Sequence, residues 1–213
     1  MQIRRTACSG VLLTLDGTRL LLDGVGEQIL TYPATPEAIS RELSMDPPNG
    51  VLITHRHKDH YDASFVSSYV DLAAGPVIGP AQIPNAVCAD QRIGSLQITC
   101  VESRHIGKTD GTQHISFVIR GSQCVWLTGD ASPLMWRGAD LPKPDVLIAP
   151  YAYAMGSGWE ITKALAPKTL VLLHLPERDN DPAKLWDAVE NTLSDECSIE
   201  VYIPEMGQTL TLE

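Results

Sequence analysis

The sequence contains no Cys-x-x-Cys pair, no apolar run long enough to cross a membrane and no excess of basic residues. Its five cysteines, Cys8, Cys88, Cys100, Cys124 and Cys197, are odd in number and widely spread. A structural disulfide framework is therefore not expected, and a reducing cytoplasm is the natural compartment. Arg4 and Arg5 precede an apolar run from Val11 to Leu15, but Thr14, Asp16 and Arg19 interrupt it too soon for a secretory signal or a membrane span. Sixteen Lys and Arg stand against 26 Asp and Glu, a formal net charge of −10. Gripping nucleic acid needs clustered cations, so no nucleic-acid partner is expected. Bound divalent cations would offset part of the charge and leave room for an anionic small-molecule substrate at one local site.

What is present suits a folded domain. Apolar residues make up 44% of 213 positions, which predicts one globular domain over residues 1–213. Gly10 to Leu15 and Thr18 to Leu22 read as two strands about Asp16-Gly17, a pair that supplies the positive φ angles of a tight hairpin. Pro36 to Leu43 reads as a short helix capped by Thr35, and Ala63 to Ala73 as a helix capped by Asp62. Ile115 to Ile119 and Cys124 to Thr128 form a second hairpin. Further strands are expected at Val51–Thr54, Pro76–Gly79, Leu96–Val101, Asp145–Ala149, Thr169–Leu173, Ile199–Ile203 and Gln208–Leu212. Further helices are expected at Trp159–Leu165 and at Pro182–Leu193, with Asp181 as cap. The mixture predicts an α/β fold of two sheets with helices on their outer faces.

Polar residues of ligand type recur at the ends of these strands: His55, His105, Asp130 and His174 each follow an apolar run. Of only six histidines, three fall at His55, His57 and His60. His55-x-His57 places two imidazoles on one side of an extended segment, and Asp59 and His60 follow in different directions. Four such side chains around a turn crowd a single tetrahedral ion. Two ions relieve the crowding, one taking His55 and His57 and the other Asp59 and His60. A solvated surface loop rich in histidine is the bland alternative, and it does not explain the buried strand that leads into the cluster.

His55-x-His57-x-Asp59-His60 resembles the signature of the metallo-β-lactamase-fold superfamily of hydrolases. Leu20 to Gly24 is similar to that family's early strand, whose aspartate, here Asp23, buttresses the site. The resemblance implies a four-layer αββα sandwich of two mixed sheets flanked by helices. It implies that His55, His57 and His105 hold one metal, that Asp59, His60 and His174 hold the second, and that Asp130 bridges them. Asp145 to Pro150 and Pro167 to His174 further resemble the ascorbate-6-phosphate lactonase-like branch. Imidazole and carboxylate ligands without cysteine suit two divalent ions, Zn²⁺ first, with Mn²⁺ or Fe as alternatives. Two metals about 3.5–4 Å apart can share a hydroxide that attacks an ester-type carbon or phosphorus, with Asp59 as the catalytic group that moves protons.

Other residues carry narrower expectations. His114 is the rival of His105 for the third histidine, and otherwise lines the substrate pocket as acid for the leaving group. Tyr151, Tyr153 and Trp159 are pocket-shaping candidates, with a core role as the alternative. Met135-Trp136 is an apolar loop without an assigned function, and Arg56 and Lys58 are expected in solvent. The combined expectation is a hydrolase of a phosphodiester or lactone. The alternatives are a glyoxalase-like thioesterase, a di-iron redox variant and a non-catalytic, metal-dependent binding or sensing module. Against the thioesterase stands the context Glu102-Ser103-Arg104-His105-Ile106-Gly107 around the third histidine.

Overall fold

The alternation of apolar side chains decides which way each strand faces. In β2 (Val11–Leu15), Val11, Leu13 and Leu15 enter one core layer while Leu12 enters another, as a period of two requires. The computed structural model of the chain describes residues 1–72, 74–107, 111–194 and 198–213. Ala73, the expected end of one helix, and Cys197 lie outside them. The four described cysteines are free.

A six-stranded sheet has the order β13 (Thr209–Thr211), β1 (Gln2–Arg5), β2, β3 (Thr18–Leu22), β4 (Gly50–Leu52) and β5 (Val77–Ile78). A seven-stranded sheet has the order β12 (Glu200–Tyr202), β11 (Thr169–Leu173), β10 (Val146–Pro150), β9 (Cys124–Leu127), β8 (His114–Arg120), β7 (Leu96–Ser103) and β6 (Gln91–Ile93). Each is mixed: β1, β2 and β3 pair antiparallel, and β3, β4 and β5 parallel. In the second sheet β6 to β9 are antiparallel, and β9 to β12 parallel.

Between the sheets lie Leu13, Leu20, Leu22 and Leu52 from one side and Phe117, Ile119, Leu127, Ile148 and Val171 from the other. The outer face of the first sheet packs on Ile39 and Leu43 of α1 (Glu37–Met45) and on Phe65, Val66 and Tyr69 of α2 (Ala63–Asp71). The outer face of the second packs on Trp159 and Ile161 of α3 (Gly156–Leu165) and Val189 of α4 (Leu185–Leu193). Each fully buried Leu or Ile contributes roughly 1.5–3 kcal/mol, so three apolar layers hold the expected αββα sandwich together. Among the described residues no helix is long and apolar enough to cross a membrane.

Most expected elements are present, and the differences have local causes. Asp16 and Gly17 both have positive φ, 49° and 77°, as the hairpin demands. Asp62 caps α2 by accepting from Phe65 N at 2.9 Å. Thr35 does not cap α1. Its hydroxyl accepts from Gly26 N and its own N–H donates to Gly26 O, which pins it to the preceding segment instead. Helix α4 starts at Leu185 rather than Pro182 because Lys184 is left-handed, although Asp181 still accepts from Trp186 N. β1 and β6 were not expected: each has a single buried apolar side chain, Ile3 or Ile93, and both form through pairing with neighbouring strands.

The sheets present several strand ends to one region. The segment after β4 carries His55 to His60, His105 follows β7, Asp130 follows β9 and His174 follows β11. Backbone bonds stitch these ends together. Ile115 N on β8 donates to Thr54 O across the sheets, and Ile106 N donates to Asp130 O.

Candidate metal centre

The centre is built on a buried carboxylate. Asp23, fully buried at the end of β3, accepts from Thr54 N at 2.7 Å, Thr54 Oγ1 at 2.6 Å and His60 Nδ1 at 2.9 Å. The Thr54 hydroxyl gives its one proton to Asp23, so it can only accept from His55 Nδ1, 3.0 Å away. His105 Nδ1 donates to Ile106 O. In all three imidazoles the proton of the neutral ring is therefore held on Nδ1; the Nε2 of His60 and His105 is left without a partner, and that of His55 faces His57 Nδ1. That is how a histidine is prepared for a metal: the outer nitrogen is tied and the inner one is offered.

Those inner nitrogens converge. His60 Nε2 and His105 Nε2 each lie 3.5 Å from Asp130 Oδ2, and His174 Nε2 lies 3.4 Å from the same oxygen. His174 Nε2 also stands 3.0 Å from Asp59 Oδ2, and His55 Nε2 is 2.9 Å from His57 Nδ1. Nε2 of His60, His105 and His174 is buried without a hydrogen-bond partner of good geometry among the described residues. Three groups could each hold an ion, with ligand atoms within 4.8 Å of one another: His55, His57 and His105; Asp59, His60 and His174; and His55, His60 and Asp130. Orphaned, buried lone pairs around an acceptor carboxylate fit a cation, and divalent metals in particular. All seven residues expected as ligands are thus brought together. His114 enters none of the groups.

The electrostatics agree. Burial would raise the Asp130 carboxyl, but the imidazoles of His174 and His60 hold it well below the usual carboxylate range. Burial would lower His60 and His174; the carboxylates of Asp130 and Asp23 outweigh it at His60, and those of Asp130 and Asp59 at His174, so both are raised. Burial keeps His55 neutral. Protons on His60 and His174 therefore supply positive charge that a divalent cation would supply instead, and cation binding would release them.

Glycine and strand ends shape the frame. Gly129 has φ of 51°, and a Cβ there would fall 2.5 Å from Thr54 Oγ1, so only glycine lets Asp130 approach the Thr54 segment this closely. Arg56 and Lys58 point outward as expected, Lys58 pairing with Glu27 at 2.8 Å.

Several expectations are corrected. His114 Nδ1 is 2.6 Å from Ser103 Oγ, which is 3.0 Å from Ser116 Oγ, which donates to Thr128 O. Following the protons back from that carbonyl, Ser103 must accept from His114 Nδ1. Its Nε2 has no partner and burial lowers the pKa to about 3, so the ring is neutral and its one proton is engaged by Ser103 instead of being offered to a leaving group. Tyr153 and Trp159 are core residues, the Tyr153 hydroxyl accepting from Trp136 Nε1 and donating to Ala131 O. Met135-Trp136 belongs to a 3-10 turn (Pro133–Trp136) with Trp136 buried, not to a loop. Tyr151 lines a groove of about 450 Å³ beside the centre, with Arg104, His105, Ile106, Leu134 and Met155. Tyr32 packs edge-on against His174, ring centroids 4.5 Å apart, and was missed because it sits in a Pro-broken stretch without pattern. Thr54, which heads the segment that runs into His55, carried no role of its own in the sequence, and the structure gives it one as the link between Asp23 and His55.

A protein-family model described as the beta-lactamase superfamily domain matches residues 8–174. A search of curated proteins gives no match. Among solved structures, a possible metal-dependent hydrolase from Veillonella parvula aligns at 16% identity and a TM-score of 0.69, covering 100% of this chain and 99% of that one. The metallo-beta-lactamase fold protein YhfI from Bacillus subtilis aligns at 19% identity and 0.66, covering 99% of each. The diiron β-hydroxylase CmlA from Streptomyces venezuelae aligns at 17% identity and 0.66, covering 99% of this chain and 54% of that one. At these identities the likeness is one of fold.

Proposed function

This chain belongs to the beta-lactamase superfamily, and from that premise we propose that it is a metal-dependent hydrolase of ester-type bonds in a small anionic molecule, a phosphodiester or a lactone. The observation that carries the proposal is the convergence of the buried, unpartnered Nε2 atoms of His60, His105 and His174 on the Asp130 carboxylate. His55, His57 and His105 would hold one ion, Asp59, His60 and His174 the other, with Asp130 between them. Zn²⁺ is the first choice, with Mn²⁺ or Fe as alternatives. Two such ions supply an acidified water and a Lewis acid for the substrate oxygen.

The chain's own residues do the rest. The neighbouring imidazoles of His174 and His60 overcome burial and keep the Asp59 carboxyl below its usual range, so it is ionised and able to take a proton. The groove beside His105 offers apolar contact from Ile106, Leu134 and Met155 and a single charged side chain, Arg104. It suits a substrate with an apolar body and an anionic end. Within the superfamily we place the chain nearest the ascorbate-6-phosphate lactonase-like branch, on the resemblance of Asp145 to Pro150 and Pro167 to His174. That resemblance is one of scaffold, since Asp145 serves Cys124 N and Lys168 Nζ rather than the centre. Free cysteines at four positions support a cytoplasmic setting.

Metal analysis of protein purified without chelator tests the reading first, with about two ions per chain expected and their identity read from anomalous scattering. Fewer than one ion per chain would refute the dinuclear arrangement. A panel of chromogenic phosphodiesters, lactones and thioesters follows, with turnover lost in Asp59→Ala and Asp130→Ala. Arg104→Gln should raise KM for an anionic ester roughly two- to fivefold, the range of one exposed ion pair, and leave a neutral ester unchanged. Preference for thioesters would favour the glyoxalase-like reading. Inactivity on every class with metal bound would favour a binding or sensing module.

A further inference from the structure

Three of the imidazoles in the centre have their outer nitrogen tied to protein: His55 to Thr54, His60 to Asp23 and His105 to Ile106 O. His174 does not. Its Nδ1 is buried and has no partner among the described residues, and the same holds for Ser9 Oγ. Both residues line one small cavity of about 10 Å³, with His60 and Asp130 also on its polar side and Leu127, Ile148 and Leu173 as apolar walls. That volume is about one water-sized sphere, and a buried water needs two to four polar partners. Asp59, 3.0 Å from His174 Nε2, is not among the lining residues.

We propose that this cavity binds a single water bridging His174 Nδ1 to Ser9 Oγ, and that Ser9 is thereby a positioning residue for His174. The inference rests on reading His174 Nε2 as the metal-facing nitrogen. The water accepts a hydrogen bond from Nδ1–H and donates to the Ser9 hydroxyl, with the Asp130 carboxylate as a third partner that accepts from it. Holding that proton on Nδ1 keeps the Nε2 lone pair turned toward Asp59 and Asp130, as Thr54 and Asp23 do for the other rings.

The backbone supports the same assignment. His174 has φ of 61°, an uncommon conformation for a residue with a side chain. Its N–H is held by Cys8 O at 3.0 Å, and Cys8 Sγ reaches Leu175 O at 3.8 Å. The segment that offers Ser9 thus already braces the main chain on both sides of the ring. That segment also presses on the other support: a Cβ on Gly10 would fall 1.8 Å from Asp23 O. Two braces, one of carboxylate and one of hydroxyl plus water, thus stand side by side.

A high-resolution crystal structure of the metal-free protein tests the water directly. Density for one water within hydrogen-bond distance of both Ser9 Oγ and His174 Nδ1 is expected; an empty cavity, or a direct Ser9–His174 bond, overturns the proposal. Zn²⁺ titration of the intact protein tests the positioning role. Ser9→Ala should weaken one of the two binding steps roughly tenfold or more and leave the other within about twofold, while Ser9→Thr, which keeps the hydroxyl, should stay near the unsubstituted protein. Equal weakening of both steps, or of neither, overturns it. If the unsubstituted protein binds no Zn²⁺, Mn²⁺ or Fe, the hydrolase reading fails, and the density in the cavity still decides whether the water is bound.

Discussion

Replacing Asp23 by asparagine should disable both halves of the centre without touching a ligand. The carboxylate accepts three bonds, from Thr54 N, Thr54 Oγ1 and His60 Nδ1. An amide of the same shape has one acceptor and one donor end. With its oxygen toward Thr54 N, its NH₂ faces the Thr54 hydroxyl and His60 Nδ1. The hydroxyl must then accept, and its proton turns to His55 Nδ1, which pushes the His55 proton onto Nε2. His60 is forced into the same tautomer. The opposite amide orientation instead sets two buried donors, Thr54 N–H and the NH₂, against each other. Restoring a ligand tautomer against an unsatisfied buried group costs about 1–3 kcal/mol, which corresponds to roughly 10- to 100-fold in each metal-binding step. The assay is a competition titration with a Zn²⁺ chelator on Asp23→Asn beside Asp145→Asn. Asp145 also accepts from a backbone N–H, that of Cys124, but serves the scaffold, so its substitution should leave metal affinity unchanged. Retention of both affinities within twofold in Asp23→Asn would refute the tautomer argument.

Two further outcomes follow from the same geometry. Gly129→Ala puts a Cβ 2.5 Å from Thr54 Oγ1 on a backbone with φ of 51°, a strain of roughly 1–3 kcal/mol before any clash; an unchanged urea midpoint would contradict it. In the metal-free protein, His114 is kept neutral by burial, its pKa lowered to about 3. The unfolded chain takes up that proton below about pH 6.5 and the folded one refuses it, so stability present above pH 6.5 is lost as pH falls toward 3, by at most about 1.4 kcal/mol per unit. His114→Gln should flatten this acid-side decline in chemical denaturation between pH 6.5 and 4, and parallel curves for the two proteins would show that another group sets it.

Much of the fold was legible because it depends on local pattern. The period-two alternation in β2 and β8 assigns faces whatever the partner strand, and Asp16-Gly17 specifies a turn through its own backbone preferences. The same holds for His55-x-His57-x-Asp59-His60, where neighbours on one short segment must share a site. Misplaced features depended on distant partners. Thr35 caps nothing because Gly26 engages it, and β6 exists only through pairing with β7.

By itself, then, the sequence determined the layered α/β architecture, the metal-ligand chemistry of residues 55–60 and the candidates His105, Asp130 and His174, since these follow from periodicity and from side-chain type at strand ends. Only the tertiary structure decided which nitrogen His55, His60 and His105 offer, that the His114 proton is held by Ser103, and that Asp23 and Ser9 stand beside the centre. Proton placement is a property of a closed hydrogen-bond network, and its members become neighbours only when distant strands pair, Asp23 and Thr54 at the ends of β3 and β4, and Ser103, Ser116 and Thr128 across β7, β8 and the end of β9.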